Sequence, residues 1–142
     1  MSEQAVLSVI RGQEDAIAKG DARANITAMD PDIVVFDLQP PLSYRGEQAR
    51  DIEGLNAWFA TWRNGVTVHM AEPQLIIDGN LAVAFGLSRM TGVKTDGTEV
   101  DSWSRRTVVL RHIAGAWKIV HEHSSFPMAM DGSGRAVTDL LP

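Results

Sequence analysis

Hydrophobic positions follow two periods along this chain, helical in the first half and strand-like in the second. Val6, Val9, Ile10 and Ile17 keep the i, i+3, i+4 spacing of a buried stripe, with Gln13 on the same side. That pattern predicts a helix over 3–19. Gly20 is a natural stop, and Asp21 caps a second short helix running to Ala28. Met29 to Asp32 is turn chemistry, and Ile33-Val-Val-Phe-Asp37 reads as a short strand. Pro40-Pro41 stiffens a loop from Leu38 to Gly46 that carries Tyr44 and Arg45. A third helix is expected from Glu47 to Asn64, with Ile52, Leu55, Phe59 and Trp62 on one stripe and Trp58 beside it.

From there the period becomes two. Strands are expected over 66–77, with an interruption near Pro73, and over 81–90, 100–113 and 117–126. They are separated by Asp78-Gly-Asn80, by a glycine-containing loop at 94–98 and by Ala114-Gly115. Three helices followed by an antiparallel meander is an α+β pattern. The helices' apolar faces must lie on the concave side of a strongly bent, mostly antiparallel sheet, a cone-shaped barrel with one end able to stay open as a pocket.

The last strand concentrates the candidate chemistry. Strict alternation puts Trp117, Ile119, His121, His123 and Ser125 on one face and Lys118, Val120, Glu122 and Ser124 on the other. Trp117 and Ile119 favour burial and Lys118 and Glu122 favour water, so both histidines are expected inward. There they can act as an acid/base pair or as ligand-orienting donors. His-x-His on a strand is also a metal-ligand spacing, but no strong motif supplies further ligands, and no metal is assigned.

Composition narrows the class. The chain has 142 residues, 44% of them hydrophobic and 22% charged, which fits one domain that buries roughly 68% of its unfolded surface. Residues 1–130 are expected to form that domain and 131–142 a tail. No cysteine is present, which removes thiol nucleophiles, disulfides and thiolate metal sites. A net charge of −5 with scattered basic residues argues against nucleic acid. No run is long and apolar enough for a membrane, and the N-terminus lacks signal-peptide features, so a cytoplasmic location is expected.

The segments Gly20-Asp21, Met29-Asp-Pro-Asp-Ile-Val-Val-Phe-Asp37, Pro40-Pro-Leu-Ser-Tyr-Arg-Gly46, Gly115-Ala-Trp-Lys-Ile-Val and His121-Glu-His-Ser-Ser-Phe-Pro127 come in a telling order. In that order the chain resembles the SnoaL-like and ketosteroid-isomerase-like branch of the nuclear-transport-factor-2-like superfamily. The resemblance spans about Ala5 to Pro127. It implies the cone-shaped barrel and a homodimer packed through the outer face of the sheet. It does not fix a reaction, because the superfamily holds isomerases, cyclases, dehydratases, epoxide hydrolases and association domains.

In ketosteroid isomerases a general-base aspartate ends the first strand, and Asp37 matches that position. Their oxyanion hole uses a first-helix tyrosine and a late-strand carboxyl. Here the first position holds Gln13 and the second falls among Thr107, Val108 and Val109. The base is matched and that oxyanion hole is not, which speaks against 3-ketosteroid isomerisation.

The catalytic candidates are therefore Asp37 as base, with Tyr44, His121 and His123 as donors to a developing oxyanion. Gln13, Trp58, Phe59, Trp62, Trp103, Arg105 and Ser125 are expected to line the pocket. For the strand over 100–113 either Trp103 and Arg105 or Ser104 and Arg106 must face inward, and Trp103 facing outward would suit a dimer interface. The expected function is small-molecule binding, with cofactor-independent acid/base chemistry on a hydrophobic carbonyl substrate. The alternative is a non-catalytic ligand carrier or dimeric association module. The expected partners are a small hydrophobic ligand and a second copy, with no cofactor.

Overall fold

The structure is a computed structural model that describes residues 2–142. Helix α1 spans Ser2–Lys19, with Glu3 in its first turn and Lys19 in its last, each matching the helix dipole. Gly20, at φ +67°, takes the left-handed turn that ends it. Asp21 then accepts the Ala24 N–H at 3.0 Å and starts α2, Ala22–Thr27. Strands β1 (Met29–Phe36) and β2 (Tyr44–Arg45) follow, and then α3 (Ile52–Phe59). Strands β3 (Trp62–Asp78), β4 (Leu81–Lys94), β5 (Glu99–Ile113) and β6 (Ala116–Ser125) complete the order.

The six strands form one strongly curved sheet in the order β2-β1-β6-β5-β4-β3. Every neighbouring pair is antiparallel except β1–β6, which is parallel. Helices α1 and α2 close the concave side. Val6 and Ile10 from α1 meet Ile33, Met70, Val108, Leu110 and Ile119 in a solvent-free core. Each such side chain contributes roughly 1.5–3 kcal/mol through burial. A polar tie fixes α1 against β3: the buried Glu14 carboxylate accepts the Met70 N–H and an Arg11 Nη1–H, each at 2.7 Å.

Three elements depart from the periodic reading. The expected helix over 47–64 is confined to Ile52–Phe59; Gly46–Gln48 is a short 3₁₀ turn, and Trp62 opens β3. The cause lies across the sheet. The Trp62 ring lies where a Gly92 side chain would be, and Lys94 Nζ stands 3.9 Å from its centroid. Near Pro73 the strand bulges without ending: the register shifts between Ala71 and Gln74, with Glu72 at φ +43°. After Pro127 the chain folds back as a hairpin, with an isolated bridge from Met128 to Ala136 and a 2.8 Å bond from Val137 N to Pro127 O.

Candidate active site at the inner face of the sheet

The decisive local feature is a bulge in β6. Ile119 pairs with Leu110 and His121 with Val109, so Val120 is an extra residue without a partner. Beyond it the alternation inverts. Ile119 faces the core, and so do Glu122, opposite Val108, and Ser124, opposite Arg106. His121, His123 and Ser125 face out.

This corrects the expectation that both histidines turn inward. His121 Nδ1 donates to Val34 O at 2.7 Å, and the Phe36 ring stands edge-on to both imidazoles at 4.8 and 5.4 Å. Strand β5 is corrected likewise. Val108 and Leu110 are buried on the inner face, so Arg106 is inward while Trp103 and Arg105 lie on the outer face. Arg105 Nε donates there to Ser125 Oγ at 3.2 Å.

The inner face thereby gathers a cluster that alternation alone did not reveal. Arg106 Nη2 donates to Gln13 Oε1 at 2.6 Å and to Glu122 Oε1 at 2.5 Å. Both ends of the ion pair are largely buried, each side chain 13% exposed. The pairing of two consecutive arginines with an acid on the next strand was the available signal, but reading it required the phase of both strands. Gln13 is buried on α1, at the place where the resemblance put a tyrosine.

Asp37 follows Phe36, whose ring faces out, at the end of β1. The residue is exposed, and neighbouring protein desolvates its carboxyl only in part. That desolvation raises its pKa above the ordinary 3.8; the Leu38 N–H bonded to Oδ1 at 2.7 Å opposes the rise. The Glu122 charge pushes the pKa further up, and Arg106 pulls it down. Asp37, Glu122 and Arg106 are thus coupled charges at one end of the inner face.

The remaining candidates lie apart from this cluster or are otherwise engaged. The Tyr44 hydroxyl donates to Pro40 O at 2.7 Å and accepts from Gln39 Nε2 at 3.2 Å. Its proton braces the loop that holds a cis Pro40–Pro41 bond and is not aimed at an oxyanion. Trp58, Phe59 and Trp62 form a separate aromatic cluster, Trp58 edge-on to Trp62 at 5.7 Å. Trp62 pairs with Lys94, eight residues of β4 beyond the Gly86 that pairs with Arg106, about 26 Å of extended strand. A shallow groove of about 510 Å³ near that end, lined by Val66, Gly92 and Val100 among others, shares no residue with the charged cluster. Among the described residues, no three side chains of His, Asp or Glu gather as a metal site.

A family model for the SnoaL-like domain matches residues 6–129, and the chain belongs to that family. No curated protein matches it. Among solved structures it is similar to a nuclear-transport-factor-2-like protein of unknown function from Pseudomonas putida KT2440. That likeness has 26% identity and a TM-score of 0.86 over 99% of this chain and 96% of the other. A protein from Shewanella frigidimarina that carries the provisional name ketosteroid isomerase is 25% identical, with a TM-score of 0.68 over 85% and 94% of the two chains. The association domain of the Caenorhabditis elegans kinase CaMKII shares the fold, with 21% identity and a TM-score of 0.69 over 87% and 95%.

Proposed function

We propose that the chain binds a hydrophobic carbonyl-containing small molecule in its cone and acts on it by cofactor-independent acid/base chemistry, with Asp37 as the proton acceptor. The observation that carries this reading is Asp37 itself. It is a strand-end carboxylate with a raised pKa, which brings a base closer to the affinity a carbon acid or water requires near neutrality. Membership of the SnoaL-like family and the likeness to a provisionally named ketosteroid isomerase agree with it. The reaction type, whether isomerase, cyclase or hydratase, follows from which bond of the substrate lies over the carboxyl.

The reading extends to a homodimer. Phe36, Ile76 and Leu87 are exposed on the outer face of the sheet, and Val83, Phe85 and Val109 are half-buried beside them. This apolar face suits a second copy. It is also what favours the second reading, a non-catalytic association module like the CaMKII association domain that shares the fold.

A thermal-shift screen with steroids, aromatic polyketide-like compounds and lactones separates the two. A ligand at 100 times its Kd adds about 2.7 kcal/mol. A hit whose turnover disappears in Asp37→Asn supports the enzyme; turnover unchanged by that substitution removes Asp37 from the role. Silence across the panel from an intact dimer favours the association module.

A further inference from the structure

Arg106 stands at the centre of the inner-face cluster, and the cluster uses only part of it. Both of its protein contacts are made by one atom, Nη2, to Gln13 on α1 and Glu122 on β6. A guanidinium carries five N–H donors in a planar fork, and two are on Nη2. The three on Nε and Nη1 meet no acceptor among the described residues. Neither atom belongs to the buried polar atoms left without a partner, which are Asn25 Oδ1, Arg50 Nε and Trp62 Nε1. That edge of Arg106 thus keeps some solvent contact although the side chain is only 13% exposed. It lies at the end of the sheet where Asp37 leaves β1: Phe36 pairs with His123, and Arg106 with the next residue, Ser124. Two holders on different elements fix its plane, and an arginine remains a donor at every working pH.

Charge bookkeeping narrows what this edge can take. At neutral pH the ion pair sums to zero, and Asp37 adds one negative charge. A permanently anionic ligand would add a second, beside Glu122 and Asp37, with no cation left to balance it. A neutral carbonyl compound meets no such penalty. When it gives up an α-proton, the C–H bond breaks and its electron pair forms the new C=C bond. The carbonyl π pair moves onto oxygen, and the proton bonds to Asp37 Oδ2, since Oδ1 already accepts from Leu38. The total charge stays at minus one throughout, now on the oxygen instead of on Asp37.

We infer that Nε and Nη1 of Arg106 are the oxyanion-binding edge of this site, held by Gln13 and Glu122, and that its substrates are neutral enolisable carbonyl compounds and not carboxylates. The inference rests on Asp37 being the proton acceptor. It supplies the donor that Gln13 and the β5 residues Thr107, Val108 and Val109 leave unmatched.

4-Nitrophenol tests it, because the absorbance of the bound probe reports phenol or phenolate, and the phenolate oxygen stands in for an enolate. In Asp37→Asn, where a neutral side chain replaces the protonated carboxyl, the phenolate binds at least about tenfold more tightly than in the wild type. Adding Arg106→Gln together with Glu122→Gln removes both buried charges at once and leaves the net charge unchanged. Phenolate binding then falls at least about tenfold and the bound fraction shifts to phenol. If that chain does not fold, Arg106→Lys in the Asp37→Asn background carries the test, since an ammonium keeps the charge and loses the fork. Undiminished phenolate binding in the folded variant overturns the role of Arg106 while leaving Asp37 in place. Failure of both wild type and Asp37→Asn to bind the probe overturns the cone site itself, and this inference with it.

Discussion

If Asp37 is the proton acceptor proposed above, it answers to two opposed demands, one from stability and one from chemistry. Its folded-state pKa lies above the 3.8 of an ordinary aspartate, so the folded state holds its proton to higher pH than the unfolded state does. Below 3.8 both states are protonated and nothing is lost. As pH rises through the raised value, the folded state must carry a charge that its surroundings disfavour, and stability falls. Asp37→Asn keeps an oxygen for the Leu38 N–H and removes the charge. It is expected to be more stable than the wild type near neutrality, with the advantage shrinking as pH falls toward 3.8. Urea unfolding of both chains at several pH values checks this; an advantage that grows on acidification is incompatible with a raised pKa. A stabilising substitution at the proposed proton acceptor would be the usual signature of a site kept strained for function.

At the scale of elements, two glycines predict opposite outcomes. A Cβ on Gly92 would sit 2.8 Å from Cε3 of the Trp62 ring, which is buried and flanked by Lys94. Gly92→Ala is expected to cost about 1–3 kcal/mol. Gly12, in the middle of α1, has no heavy atom near where a Cβ would go. Gly12→Ala is expected to stabilise by about 0.5–1 kcal/mol through helix propensity. Chemical denaturation of the two variants beside the wild type reads both signs, and like signs would mean that the Trp62 packing or the α1 assignment is wrong. The bulge at Val120 belongs to the same scale. One unpaired residue exchanged the faces of His121 and Glu122, and with them the identity of the site.

At the scale of the molecule, the sheet has two working faces. The inner one holds the core and the charged cluster. On the outer one a continuous row crosses five strands and reaches the edge strand β2, from Ile76 through Val83, Val109, His121 and Val34 to Arg45. Ile76 is 59% exposed in the single chain. Ile76→Asp is expected to leave the fold of the protomer within about 0.5 kcal/mol, as for other exposed positions. It would also place a desolvated charge in the interface of the proposed homodimer. Sedimentation with circular dichroism should show a folded monomer; an Ile76→Asp chain that still dimerises puts the interface elsewhere.

What local spacing dictates was legible without coordinates. The α1 stripe, the Gly20-Asp21 break, the hairpins and the α+β order each follow from contacts a few residues apart, where propensity and period dominate. The family was legible too, through the ordered segments that include the one ending in Asp37. The phase of β5 and β6 was not, because Val108, Val109 and Leu110 are all apolar and a bulge leaves no mark in composition. Packing settled it: only Val108 and Leu110 facing α1 fill the core, and that choice carries Arg106 and Glu122 inward and sends the two histidines out. Period-two reasoning loses its reference at a single extra residue, whereas the cross-strand register, set by the whole sheet, restores it.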